Sequence, residues 1–248
     1  MEKYYKEFDD YVSNYDLEDR DIKLKYNHSY RVMELSKKYS KLLGFSEEDQ
    51  ELATLIGLLH DIGRFEQLKL YHTYDDKRSI DHADFGVKVL FDDGLIKKFW
   101  DNEKDYDLIK FSIKNHNKFE IPAIDDERIM KHAKLIRDTD KLDILYVCGK
   151  LDELKYRTNN ESLSKEVIDS INKYENVKKT DVRNKNDHLA LCLSFAFDIN
   201  YNIVLKEFKQ NLIWYKEVVD IENKFDEIFS NVIKYIDERI DKNVRNEI

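Results

Sequence analysis

The stretch Leu55-Ile56-Gly57-Leu58-Leu59-His60-Asp61-Ile62-Gly63-Arg64-Phe65-Glu66 decides how this chain is read. An apolar helical run ends in an adjacent histidine and aspartate, and a glycine and an arginine follow. At 3.6 residues per turn, Leu52, Leu55, Ile56, Leu59 and His60 share one face. His60 therefore points where the leucines point. An imidazole buried there without a partner would cost roughly 2–7 kcal/mol. Alone, it is explained equally well as a core histidine bonded to a carbonyl or as a metal ligand.

Working outward, the same pattern recurs. His28, Val32, Leu35, Tyr39 and Leu42 form a stripe at steps of 4, 3, 4 and 3, with a histidine as its first member. Gly44 stops that helix and Ser46 caps the next, which is expected to run to Gly63. Residues 64–81 show no clear period and are expected to be a loop or short helical turns across the mouth of whatever His60 and Asp61 build. A helix is expected to start near His82, in line with Phe85 and Val89, and to break at Gly94. A short helix around Ile96 to Trp100 follows. Tyr106, Ile109, Ile113 and His116 form another stripe, again ended by a histidine. From Asp125 a longer helix puts Ile129, Ala133, Ile136, Asp140, Ile144 and Val147 on one face. Asp138 falls roughly 160° from Asp140 at ~100° per residue. The spacing prefers Asp140 as the inward carboxylate.

The flanks carry less. Residues 2–15 read as an amphipathic helix, and residues 16–21 as a charged connection. Residues 158–187 are polar, with a helix expected over Leu163–Tyr174 and a basic spot at Lys178–Arg183, read as solvated surface. The chain turns apolar from His188 to Phe197, and one last helix is expected over 214–242.

One proline and six glycines in 248 residues, with abundant Lys, Glu, Leu and Ile, predict an all-α fold. The net charge of −9 argues against a generic nucleic-acid binder. An anionic substrate would then need a local basic or metallic centre. Cys148 and Cys192 lack metal-type spacing and read as buried thiols in a reducing, cytoplasmic setting. No apolar leader run and no membrane-spanning stretch is seen. No repeat or Pro/Ser-rich linker divides the chain, so 1–248 is expected to be a single helical body.

His28, His60, His82, His116 and Asp140 thus lie on apolar stripes, and Asp61 adjoins one of them. Five separate solitary cases are less economical than one shared metal, since imidazole and carboxylate are its ordinary ligands. Nitrogen and oxygen donors without thiolate favour Mn, Fe, Co, Ni or Zn over Ca.

The ordered set His28, His60-Asp61 and Asp140 resembles the HD superfamily of metal-dependent phosphohydrolases. His60-Asp61-Ile62-Gly63-Arg64 is similar to its central motif. Asp138-Thr139-Asp140-Lys141-Leu142-Asp143 is similar to its closing motif, with threonine where alanine is common. The resemblance covers about 25–147, an HD-type helical core, and leaves 148–248 as a C-terminal helical extension. It implies one or two divalent ions (Mn, Fe, Co, Ni, Zn or Mg) and a small-molecule phosphate substrate such as a nucleotide. His28, His60, Asp61 and Asp140 would hold the first ion. His82 and His116 resemble the added histidines of two-metal members, in which the motif aspartate bridges. Besides Asp61, Arg64 is a candidate for gripping phosphate, with Lys141 and Arg78 as weaker ones. Two other readings are a di-iron oxygenase of the same superfamily and a non-catalytic ligand-binding regulatory module. The oligomeric state is not legible.

Overall fold

In the computed structural model, which describes residues 2–150, 157–220 and 222–246, helices are the regular elements and no strand occurs among those residues. The chain divides into two units, Met1–Asp140 and Lys141–Ile248.

The first unit contains α1 (Glu2–Val12), α2 (Arg20–Leu42), α3 (Glu47–Leu59), α4 (Gly63–Tyr71), α5 (His82–Val87), α6 (Ile96–Phe99), α7 (Tyr106–Asn115) and most of α8 (Glu127–Lys150). A π-helical turn, Lys88–Asp92, continues α5. α2 begins well before His28, because Asp19 accepts hydrogen bonds from the backbone N–H groups of Asp21 and Ile22 and so caps it. The charged 16–21 stretch thus supplies a cap, and His28 sits more than two turns inside the helix. Ser46 caps α3 as its position suggested, accepting from the Asp49 N–H.

α3 stops at Leu59, short of the expected Gly63. The bonds Ile62 N–H to Leu59 O (3.1 Å) and Arg64 N–H to Asp61 O (2.9 Å) tighten the chain into a turn at His60–Ile62. Gly63 then opens α4, so the first eight residues of the 64–81 stretch are helix. Its anchor is polar: the buried Gln67 amide donates to Asp76 Oδ1, Ser79 Oγ and the Ile80 carbonyl at 2.8–2.9 Å. An apolar period cannot report such an anchor.

Two glycines let the backbones of this unit touch. A Cβ on Gly57 would lie 2.7 Å from Ser36 Oγ and 2.9 Å from Met33 Cα, so α2 and α3 pack at the closest range. A Cβ on Gly63 would lie 2.4 Å from the His82 carbonyl oxygen and 2.6 Å from Gly86 N, which fixes α4 against α5. Around these contacts Val32, Leu52, Leu55, Ile56, Ile109, Ile113 and Ile136 are fully buried. Each such side chain contributes roughly 1.5–3 kcal/mol.

α8 corrects one expectation. From Leu135 to Asp143 it is buried on every side, and Asp138, placed by periodicity away from the apolar face, is 0 % exposed. Periodicity separates an inside from an outside only where a helix has both.

The second unit holds the end of α8, α9 (Lys165–Asn172), α10 (Lys185–Ser194), a 3₁₀ turn at Phe195–Phe197, α11 (Asn202–Val219) and α12 (Asp226–Asn246). The single terminal helix expected over 214–242 is broken. Asp220 accepts from the N–H groups of Lys224 (3.0 Å) and Phe225 (2.8 Å), and Asn223 takes a left-handed φ of 53°. Ile221, within the helix expected there, lies outside the described residues. Cys148 and Cys192 are buried free thiols with their sulfurs 3.7 Å apart. No described helix is long and apolar enough to cross a membrane.

Candidate metal centre

Six side chains named from the sequence meet in the first unit. α2 carries His28, the α3–α4 turn carries His60 and Asp61, and His82 is the first residue of α5, whose cap is Asp81. His116 follows α7 directly, and Asp140 lies on α8. All six are buried. His28 Nε2 lies 3.2 Å from His60 Nε2 and 3.1 Å from Asp140 Oδ1. His82 Nε2 lies 3.1 Å from His116 Nε2. Asp61 stands between the two sets. Its Oδ2 is 3.5 Å from His28 Nε2 and 3.7 Å from His60 Nε2, and its Oδ1 is 3.3 Å from His82 Nε2 and 3.6 Å from His116 Nε2.

The far sides of the rings decide what the near sides can do. His60 Nδ1 is 2.8 Å from the Gly57 carbonyl and His116 Nδ1 is 2.7 Å from the Ile113 carbonyl. A carbonyl only accepts, so both Nδ1 atoms carry the proton. His82 Nδ1 is 2.7 Å from Asp76 Oδ2, which fixes the same tautomer. Burial pushes the His60 pKa down and the His82 pKa down to about 3, against the pull of nearby carboxylates, so both rings are neutral. The Nε2 lone pair of His60 then faces His28 and Asp140, and that of His82 faces His116 and Asp61.

Burial alone raises the pKa of the Asp61 carboxyl. The Lys25 ammonium, 2.7 Å away, leads the opposing pull that holds it well below the usual range. Asp140 is likewise held low against burial, by its contact with His28 Nε2 at 3.1 Å. A set of acceptors packed this closely calls for cations between them. The closer separations, 3.1–3.5 Å, also match the about 3.0–3.5 Å expected between donors bound 2.0–2.2 Å from a shared ion. Two overlapping groups, His28–His60–Asp140 and His60–Asp61–His116, have the proximity to hold a metal ion. Imidazoles whose other nitrogen donates to a carbonyl or carboxylate are the ordinary form of such ligands.

The cation candidates fare differently. Arg64 Nη1 donates to Gln67 Oε1 (2.8 Å), the Tyr74 carbonyl (2.7 Å) and Asp76 Oδ1 (2.9 Å). That nitrogen braces the 72–81 loop, while Nε, buried and unbonded, stands 3.7 Å from Asp61 Oδ1. Lys141 Nζ is paired with Asp198 at 2.5 Å. Arg78 is exposed on the loop.

Three residues that matter here went unread in the sequence. Lys25 Nζ lies 2.7 Å from Asp61 Oδ2. Asp76 sets the His82 tautomer from a loop without a period. Arg137, buried on α8, donates to the carbonyls of Asn115, His116, Lys118 and Phe119 and so holds the end of α7 that places His116. An arginine inside the apolar half of α8 was the one available signal.

Comparison with known proteins adds one finding. The family model described as HD domain matches residues 26–145. No curated protein and no solved structure matches the chain.

Proposed function

From the premise that residues 26–145 are an HD domain, a family of metal-dependent hydrolases, we propose that this chain is a divalent-metal-dependent phosphohydrolase acting on a nucleotide or another small phosphate ester. The observation that carries the reading is the convergence of four imidazole nitrogens and two carboxylates, each donor atom 3.1–3.7 Å from at least one other. His28, His60, Asp140 and Asp61 Oδ2 would hold one ion. His82, His116 and Asp61 Oδ1 would hold a second, with Asp61 as the bridge. Bound divalent ions lower the pKa of a coordinated water toward ~7 and offset charge that builds on a phosphoryl group.

The chain's own residues prepare that chemistry. Asp76, Gly57 O and Ile113 O keep the ring protons away from the donor atoms. Arg137 and the close α4–α5 packing hold His116 and His82 in place. Arg64 adds positive charge beside Asp61 and orders the loop next to the centre.

The test is metal analysis of the purified protein, followed by phosphate release from nucleotides and small phosphoesters with added Mn²⁺ or Co²⁺. Phosphate release that chelator abolishes is the expected result. Bound iron with oxygen consumption, and no phosphate release, would move the same donor set to a di-iron oxygenase. Neither activity in the metal-loaded protein would leave a ligand-binding module.

A further inference from the structure

One cation at the centre is outside the ligand set. Lys25 lies on α2 three residues before His28, one turn away on the same face. Its Nζ is 2.7 Å from Asp61 Oδ2. The Lys25 side chain is 17 % exposed where Asp61 is 4 % exposed, so the ammonium approaches the carboxylate from the solvent side. Nζ also lies over the face of Tyr74, 5.9 Å from the ring centroid. The Arg64 guanidinium lies 5.6 Å from the same centroid. Tyr74 is itself pinned to the start of α2, its hydroxyl donating to the Asp21 carbonyl at 2.9 Å.

Two cations therefore flank the two oxygens of Asp61, and they are held in different ways. Three acceptors fix Arg64 through one nitrogen. One carboxylate oxygen holds Lys25. That oxygen is the one that faces His28 and His60. A carboxylate that bridges divalent ions has little charge left for an ammonium, and a lysine has a four-carbon stem with rotatable donors to follow another anion. The anion that arrives from the solvent side is the substrate.

We propose that Lys25 is a substrate-binding residue whose ammonium pairs with Asp61 in the metal-free protein and with phosphoryl oxygens of the substrate in the metal-loaded protein. The inference rests on the phosphohydrolase reading of the same centre. No bond is made or broken in the exchange. Lys25 changes its anion, and a binding site for phosphate is completed only once metal has taken Asp61.

Titration calorimetry on the full chain tests this with two probes. Mn²⁺ is titrated into metal-free protein, and orthophosphate into Mn²⁺-loaded protein, for wild type, Lys25→Met and Lys25→Arg. Lys25→Met is expected to bind Mn²⁺ at least as tightly as wild type, because a competing cation has left Asp61. It is expected to bind orthophosphate on the order of 10- to 100-fold more weakly, the loss of one charge-assisted hydrogen bond. Lys25→Arg should keep most of the phosphate affinity. Should Lys25→Met not fold, Lys25→Gln carries the same expectations.

Weaker Mn²⁺ binding with unchanged phosphate affinity would overturn the proposal and leave Lys25 a structural counter-ion. Absence of orthophosphate binding by loaded wild type would overturn the phosphohydrolase reading and Lys25 with it. Equal phosphate binding by wild type and Lys25→Met would overturn the role of Lys25 alone.

Discussion

The Met1–Asp140 unit contains two buried clusters of histidine and aspartate, and their charges are arranged in opposite ways. Around Asp49 every carboxylate meets donors. Asp49 accepts from Arg128 Nε (2.7 Å), Lys131 Nζ (2.5 Å) and His132 Nε2 (3.2 Å). Asp105 accepts from Trp100 Nε1 (2.9 Å), Asn102 Nδ2 (2.8 Å) and Arg128 Nη1 (2.7 Å). Two carboxylates face two full cations, so the carboxylates of this cluster are matched by the chain's own charges. Around Asp61 the same residue types face one another as acceptors, with Lys25 as the cation bonded among them. A buried histidine is thus structural when its inward nitrogen donates, and a ligand candidate when a carbonyl has already taken its proton. Residue type and burial are alike in the two places, and the direction of the hydrogen bonds separates them.

Metal binding offers the largest test of that contrast. His60→Ala and Asp61→Ala are each expected to lower divalent-metal affinity beyond detection by calorimetry. Asp49→Ala should leave metal stoichiometry untouched and lower stability by about 2 kcal/mol in urea denaturation. That is less than the ~3–5 kcal/mol for breaking a fully buried pair, because Arg128 and Lys131 keep solvent contact. Metal loss in Asp49→Ala would erase the distinction between the clusters.

A second test lies within α8. Asp140→Ala should remove metal. Asp138→Ala should keep it and instead lose stability by roughly 1–3 kcal/mol, since Asp138 is fully buried with partners of its own. Equal loss of metal from the two variants would place Asp138 in the ligand set.

What the sequence made legible follows the same physics. Apolar stripes that carry a histidine or an aspartate located α2, α3, α5, α7 and α8, because one side of each helix faces a core and the chain codes that side. The stripes also singled out five of the six residues that the structure brings within a few ångströms, and Asp61 adjoins one of the five. Signals failed where packing is polar or uniform. Lys25 is one lysine among many on a charged helix, and only its length lets it reach Asp61. Gln67 anchors α4 through an amide, which leaves no period. Asp138 lies in a helix segment with no outward face. The break before α12 has neither glycine nor proline and depends on Asp220 capping the next turn.

Gly63→Ala is a smaller perturbation that should affect one cluster and spare the other. The added Cβ would sit 2.4 Å from the His82 carbonyl oxygen, a backbone atom that cannot yield without moving α5. The expected cost is about 1–3 kcal/mol. The His82–His116 side of the centre should weaken before the His28–His60–Asp140 side, so metal stoichiometry under limiting ion should fall while the Asp49 cluster is unaffected. Unchanged stoichiometry and stability would mean that α5 is free to shift and that His82 is not held by this packing.

The smallest effect concerns protons in the closed cluster. Burial pushes the His132 pKa down to about 4, outweighing the pull of Asp49. The native imidazole is therefore neutral where the unfolded one, with its ordinary pKa near ~6.5, takes up a proton. Between pH ~6.5 and 4 the unfolded state holds the extra proton, so stability falls as pH falls through that window. The loss is at most about 1.4 kcal/mol per pH unit and ends once both states are protonated. His60 and His82 are also depressed, so the quantity to measure is the difference between His132→Gln and wild type, both metal-free, by urea denaturation across the window. The difference should change by the equivalent of one proton, with the variant showing the flatter profile. Asp49 behaves with the opposite sign of group but the same direction. Its carboxyl is held low by Lys131, Arg128 and His132 against burial, so its contribution is present above pH ~4 and disappears only in stronger acid. A constant difference between His132→Gln and wild type from pH ~6.5 to 4 would mean that His132 is protonated in the native state. The Asp49 cluster would then hold three cations against two carboxylates and would no longer be the charge-matched counterpart of the Asp61 centre.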